Sequence, residues 1–397
     1  MNNNKICFIT AVNNNDKYDE CLYYISKLQI PEGYEIQTVK ITNVTSLCRA
    51  YNTAMAESDA KYKVYLHQDV FIRNKRFIIE VLDIFLNKDI GLIGVAGSTR
   101  MPQNGICFAS FDTGIVDERE PGASFYMRPR SNTGGREVVA IDGLITVTQY
   151  DVKWREDLFT GFHYYDIAQS FEFKKYGYKV FVPFQDKPWV IHNCNFANLI
   201  DYEKQSHILV DEYKDYLTGE NIGVPSENYE ELSTICKQLL YHINIMISEK
   251  KWADIANIID RYRKINFNDS SLEIVGVISE ICIKEEKIYG GTFFGAEIYD
   301  LDSAMTYYQK VQYGLIRIEL HYPESENFFI LEQIKSRKIT IEALLVFLVR
   351  AVSERLELFY ELKKIFSRYN MNEYIKQLNQ AEDIISNENI STYIIDG

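Results

Sequence analysis

The chain has 397 residues, 46% of them hydrophobic and 14% aromatic, which excludes a largely disordered protein and leaves room for two or three domains with substantial cores. A formal net charge of −13 opposes nucleic acid and anionic membranes, so no nucleic-acid partner is expected and a phosphate-bearing ligand needs local neutralisation. Seven cysteines without a CxxC pair read as reduced thiols; the apolar run Ile6 to Val12 is too short for a signal peptide, and "IEALLVFLVRAV" meets Arg350 before the roughly 20 residues of a bilayer span, so a cytoplasmic protein without a membrane span is expected.

In chain order, "KICFITAV" predicts a strand that ends in the polar loop "NNND". The segment "DKYDECLYYISKLQI" spaces Cys21, Leu22, Ile25 and Leu28 as one face of a helix. "YEIQTVKI" predicts a second strand, and "SLCRAYNTAMAES" a helix with Leu47, Ala50, Ala54 and Tyr51 inward. "YKVYLHQD" predicts a third strand, "RFIIEVLDIFLN" a helix and "IGLIGVAGS" a strand. After Ser98 periodicity is lost through a long segment rich in glycine and proline, of the kind that forms lids or binding elements. Strand character resumes in "VVAIDGLITVTQYDV"; "FHYYDIAQSFEFKKYG" predicts a helix closed by Gly177, and "YKVFVP" another strand.

From about Glu227 the pattern changes to long helical stretches such as "YEELSTICKQLLYHINIMISE", "WADIANIIDRYRKI" and "TIEALLVFLVRAVSERLELFYELKKIF". The expected organisation is an α/β domain over 1–218 with a mostly parallel sheet between helices, and an all-α domain over 227–397, joined through "TGENIGVPSE".

In open α/β sheets, ligands bind beyond the carboxyl ends of the strands. Three polar groups fall at such ends: the loop after Val12, His67-Gln68-Asp69 after Leu66, and His192 after "PWVI". A carboxylate with one or two imidazoles suits Mn²⁺ or a similar ion, although an isolated HxD is more often a strand cap than a metal site. Asp166 falls near the start of a helix, where a carboxylate serves either as a general base or as a first-turn stabiliser. Arg128, Arg130 and Arg136 form a basic cluster beside glycines, read either as a lid that clamps phosphate or as a solvated loop. Trp154, Trp189, Phe162, Tyr164 and Tyr165 are candidates for stacking on a ligand or for core packing.

The blocks "ITAVNNN", "SLCRAYNTAMAESDAKYKVYLHQDV", "IDGLITVTQYDVKWREDLFTGFHYYDIAQSFEFKKYGYKVFVP" and "PWVIHNC", in this order over residues 4–215, resemble GT-A-fold glycosyltransferases of the family-two type, in the group with a degenerate DxD motif. Here the motif is His67-Gln68-Asp69, with only its second carboxylate kept. The resemblance implies a metal-dependent glycosyltransferase that inverts the anomeric centre, using Mn²⁺ or Mg²⁺ and a nucleotide sugar, UDP-GlcNAc being one example. It implies Asp69 and His192 as metal ligands, His67 as a possible third, and Asp166 as the catalytic base. For donor binding it implies Ala11, Val12, Asn13, Arg49, Asn52, His67, Gln68, Asp142 and Gly143, to which the basic cluster adds Arg136. The acceptor is a glycan or a protein Ser/Thr hydroxyl, and the helical half binds the acceptor or mediates self-association. Two other readings remain: a GT-A module that binds a nucleotide sugar without turnover, and a nucleotidyltransferase.

Overall fold

The five residues Ile6 to Thr10 are all buried, and such an unbroken run belongs to a strand covered on both faces. In the computed structural model, which describes residues 1–107, 110–118, 134–193, 201–220, 227–264, 270–323, 329–352 and 355–386, this strand is the second of a seven-stranded sheet. Arg128, Arg130 and Cys194 fall outside the described residues.

The elements run β1 (Asn2–Val12), α1 (Asn15–Ile25), β2 (Glu35–Thr42), α2 (Leu47–Glu57), β3 (Ala60–His67), β4 (Val70–Ile72) and α3 (Phe77–Ile84). Six short strands follow: β5 (Ile90–Gly94), β6 (Ala96–Ser98), β7 (Thr113–Gly114), β8 (Asp117–Glu118), β9 (Arg136–Val138) and β10 (Ala140–Ile141). Next come β11 (Ile145–Thr148), α4 (Tyr165–Lys175), β12 (Lys179–Val182), β13 (Val190–His192) and α5 (Tyr202–Tyr213). The main sheet has the order β2-β1-β3-β11-β5-β12-β9. Five of its strands run the same way, and only β11 and β9 are reversed. Two three-stranded sheets complete this part, β10-β6-β7 and β4-β13-β8. The architecture is a GT-A-type mixed sheet, mostly parallel and flanked by helices.

The helix starts follow from their caps. Asn14 accepts from Lys17 N at 3.1 Å and Ser46 from Arg49 N at 3.4 Å, each supplying a partner for a first-turn N–H. On α2 the buried residues are Leu47, Cys48, Tyr51 and Ala54, while Ala50 is half-buried. Helix α4 ends before Gly177, whose φ of +84° is the left-handed conformation that glycine adopts without a Cβ clash.

Two predicted strands are divided. "IGLIGVAGS" splits at Val95 into β5 and β6, which belong to different sheets. "VVAIDGLITVTQYDV" turns at Asp142 and Gly143, so β10 pairs with β6 while β11 enters the main sheet antiparallel between β3 and β5.

The chain divides into two compact units, the first up to Val224 and the second from Pro225. The described elements of the second unit are helices, α6 (Glu227–Ser248), α7 (Trp252–Lys264), α8 (Ser270–Tyr289), α9 (Leu301–Glu319), α10 (Phe329–Lys335), α11 (Ile341–Ala351), α12 (Arg355–Arg368), α13 (Asn372–Gln380) and α14 (Glu382–Ser386). They share one apolar core that includes Ile255, Ile278, Leu315, Phe347 and Leu362. The continuous pattern "TIEALLVFLVRAVSERLELFYELKKIF" forms two helices, because Val352 is extended at φ −129° and ψ 124° and ends α11. Among the described residues, no helix is long and apolar enough to cross a membrane.

Candidate functional site

β1 and β3 are parallel neighbours with Ala11 opposite His67, so the loops that follow them leave the sheet side by side. Ala11, Val12 and Asn13, the turn Thr42 to Val44, Leu47 and Tyr51 of α2, and His67, Gln68 and Asp69 line a cavity of about 590 Å³, with Phe162 among its walls. Gln68 holds the two loops together. Its Oε1 accepts from Asn13 N at 3.0 Å and Asn14 N at 2.9 Å, and its Nε2 donates to Asn13 Oδ1 at 2.5 Å. The middle residue of the HQD motif is therefore a strut that shapes the cavity floor and leaves Asp69 beside it.

β13 pairs antiparallel with β4, with His192 opposite Val70, and Asn193 N donates to Asp69 O at 2.9 Å. That ladder brings a distant segment to the motif. His192 Nε2 lies 3.7 Å from Asp69 Oδ1, the His67 and His192 ring centroids are 5.6 Å apart, and one ligand atom from each of His67, Asp69 and His192 falls within 4.8 Å of the others. Two imidazoles and a carboxylate so placed fit a divalent cation of the Mn²⁺ class, which accepts mixed nitrogen and oxygen donors. Burial and the neighbouring His192 push the His67 ring down to about 4, so it is neutral at physiological pH, as a ligand must be. Burial alone would raise the Asp69 carboxyl, but His192, His67 and Lys17 hold it below the usual carboxylate value.

Lys17, in the first turn of α1, places Nζ 3.3 Å from Asp69 Oδ2 and 3.0 Å from Asn193 O. A cation bound here shares Asp69 with this ammonium. Lys17 is not among the residues expected at the site; its signal in the sequence is a lysine three residues after the Asn14 cap, in the first turn of the helix that leaves the β1 loop.

Tyr164, immediately before α4, is in the left-handed region at φ 61°, a conformation that costs a bulky residue about 1–3 kcal/mol. Its hydroxyl donates to Gly105 O at 2.9 Å, which helps to hold it there. The next two residues carry chemistry. Tyr165 Oη is 2.7 Å from His67 Nε2, and Asp166 Oδ2 accepts from Gly143 N at 2.7 Å. A Cβ at position 143 would lie 2.7 Å from Asp166 Cβ, so only glycine admits this approach. Burial, reinforced by the nearby Asp142, pushes the Asp166 carboxyl up to about 7 against the Gly143 and Ile167 N–H groups that favour its ionised form. Asp142 itself closes the turn by accepting from Leu144 N at 3.0 Å.

The fold thus gathers Ala11, Val12, Asn13, His67, Gln68 and Asp69 on one cavity, sets His192 against Asp69, and joins Asp142, Gly143 and Asp166 to His67 through Tyr165. Three expected donor contacts stand elsewhere. Asn52 is committed to Trp154, donating to its carbonyl and accepting from its N–H, both at 2.9 Å. Arg49 is exposed, with Nε 3.8 Å from Glu156. Arg136 belongs to the edge strand β9, separated from β3 by β11, β5 and β12. Of the aromatic candidates, Trp154, Trp189, Tyr164 and Tyr165 are buried in the core, and Phe162, 53% exposed, is the one that reaches the cavity.

Solved structures similar to the chain include that of residues 1–349 of S. aureus TarS, with 11% identity over 79% of this chain and 91% of that one and a TM-score of 0.35. The same fragment in complex with UDP-GlcNAc gives 12% identity, coverage of 79% and 92% and a TM-score of 0.31. A longer S. aureus TarS structure gives 11%, 95% and 55%, and 0.32. No curated protein matches the chain. A family model described as "Glycosyltransferase like family" matches residues 7–213, more than half of the 397 residues and the whole of the strand-end site. On that match, with the GT-A-type sheet around it, the chain belongs to the glycosyltransferase-like family, of the family-two type.

Proposed function

We propose that the protein transfers a sugar from a nucleotide-sugar donor, UDP-linked, to a hydroxyl of a glycan or protein acceptor, with a divalent cation and with inversion at the anomeric carbon. The observation that carries this reading is the convergence at the β1 and β3 ends of a 590 Å³ cavity, a His67–Asp69–His192 group and a hydrogen-bonded path to Asp166. Donor binding is assigned to the loop Ala11 to Asn13, with Gln68 as its support. Asp69, His192 and His67 through its remaining nitrogen would hold Mn²⁺ or Mg²⁺. Such an ion neutralises the departing diphosphate.

Lys17 adds a second positive charge beside Asp69, so a diphosphate entering an acidic protein meets local neutralisation. Asp166 is the proposed base. As the acceptor oxygen forms its bond to the anomeric carbon, the bond to the diphosphate oxygen breaks, the electron pair leaves with the nucleotide, and the hydroxyl proton moves to the Asp166 carboxylate. A carboxyl pushed up to about 7 is a stronger base than an ordinary aspartate and is still substantially ionised at neutral pH. The helical unit is assigned to acceptor binding or self-association.

The reading is tested by offering nucleotide sugars with and without Mn²⁺ and measuring nucleoside diphosphate release and acceptor mass. Metal-dependent release is expected, and Asp69→Ala should lower it by about 10²–10³-fold while weakening Mn²⁺-assisted donor binding. Donor binding with neither release nor transfer for any sugar would identify a module without turnover, and pyrophosphate release from UTP would identify a nucleotidyltransferase.

A further inference from the structure

The candidate metal group and the candidate base are joined through one hydroxyl. Tyr165 Oη lies 2.7 Å from His67 Nε2 and donates to Gly143 O at 3.2 Å, while the N–H of the same glycine donates to Asp166 Oδ2 at 2.7 Å. A carbonyl oxygen only accepts, so a phenol proton directed to Gly143 leaves the Tyr165 oxygen to accept from His67 Nε2. In that orientation His67 Nε2 carries the hydrogen of the 2.7 Å contact; the opposite orientation, with the phenol donating to Nε2, is the one that the tautomer measurement below would reveal. A neutral imidazole has one N–H, which leaves Nδ1 with its lone pair. The arrangement is rigid, because Tyr165 is buried with its ring 6.1 Å from Tyr51 and 6.0 Å from Trp154, and β3 and β11 fix the two strands that carry His67 and Gly143's turn.

We propose that Tyr165 is a positioning residue that fixes His67 as its Nε2–H tautomer, keeps Nδ1 for a divalent cation, and ties that ring through Gly143 to Asp166. The tautomer rests on the Tyr165 hydroxyl donating to Gly143; its consequence for the cation rests on the metal reading above. Partners of this kind, one bond removed from a metal, orient the ring and typically change metal affinity about 10–100-fold.

Tyr165→Phe keeps the ring and removes the hydroxyl. Long-range ¹H–¹⁵N NMR of the metal-free full-length protein, with His67 assigned against His67→Gln, should show the Nε2–H tautomer in the wild type and a mixture or the Nδ1–H form in Y165F. Mn²⁺ titration followed by electron paramagnetic resonance, which needs no turnover, should show about 10–100-fold weaker binding in Y165F. An Nδ1–H His67 in the wild type overturns the proposal, and that measurement needs no variant to fold. An unchanged tautomer in Y165F also overturns it, whether or not metal binds. The expected tautomer change with no Mn²⁺ binding by the wild type upholds Tyr165 as the tautomer's determinant and overturns the metal reading instead; the change with equal Mn²⁺ affinity in both proteins overturns the link to the cation.

Discussion

Asp166 in the sheet unit and Glu285 in the helical unit are two carboxyl groups pushed up to about 7, both chiefly by burial. Glu285 has both oxygens engaged inside its own unit. Oε2 accepts from Thr292 Oγ1 at 2.9 Å and Oε1 from Thr340 N at 3.2 Å, so the side chain of α8 pins the 289–297 turn and the start of α11. Asp166 is half-buried, accepts from a glycine that turns the chain toward the cavity strand, and is linked through Tyr165 to His67. The same perturbation therefore occurs in two different settings, and the surroundings of each carboxyl are the ground for proposing a base in one and a structural pin in the other.

The sharpest break between the two acids is in turnover. Asp166→Asn should lower kcat by about 10²–10⁴-fold, the usual contribution of a positioned base, with donor affinity retained. Glu285→Gln should leave kcat unchanged. Because the base must be ionised, the wild-type rate should climb as pH passes about 7 and then level, and the inflection should be absent from the residual rate of Asp166→Asn. Wild-type kcat in Asp166→Asn would put both acids in the structural class.

Stability should separate them in the other direction. The folded-state value of Glu285, about 7, lies above the roughly 4.3 of an unfolded glutamate, so the native state holds this proton more tightly. Its favourable contribution is complete below about pH 4 and is lost as pH rises through about 7. Hydrogen exchange of the 289–297 and 339–343 amides should accordingly quicken from pH 5 to 8 beyond the intrinsic rate. Glu285→Gln should flatten that extra dependence, whereas Glu285→Ala, which leaves Thr340 N–H without its acceptor, should cost about 1–3 kcal/mol in denaturant melts. A pH-independent opening free energy in the wild type would show that Glu285 does not titrate in this window.

The same contrast explains what was legible in the residues. Elements with a local apolar rhythm, β1, α1, β3 and α4, stand where the sequence places them, because burial on a strand or helix face imposes that rhythm. The breaks at Val95 and at Asp142–Gly143 depend on which distant strand each half pairs with, and no local run encodes a partner. In the site, Asp69 and His192 were legible as strand-end polar groups. The bracing of the β1 loop by Gln68, the approach of Lys17, and the placement of Arg136 on an edge strand all depend on strand order, which becomes visible only when the sheet is assembled.

Helix α2 carries this difference within a single turn and allows the smallest test. Asn52 and Arg49 were both expected at the donor, yet Asn52 satisfies the backbone N–H and C=O of Trp154, a residue 1% exposed between Tyr51 and Tyr65. Removing that amide in Asn52→Ala should destabilise the sheet unit by about 1–3 kcal/mol with donor KM unchanged, since the buried groups lose their partners while the cavity walls stay in place. Arg49 has an exposed guanidinium at 3.8 Å from a carboxylate, an arrangement worth about 0–1 kcal/mol. Arg49→Ala should therefore leave the unfolding free energy within about 0.5 kcal/mol of wild type and donor KM within about twofold. A tenfold rise in KM would mean that the guanidinium swings to the donor on binding, and α2 would then belong to the cavity by its charge as well as by Leu47 and Tyr51.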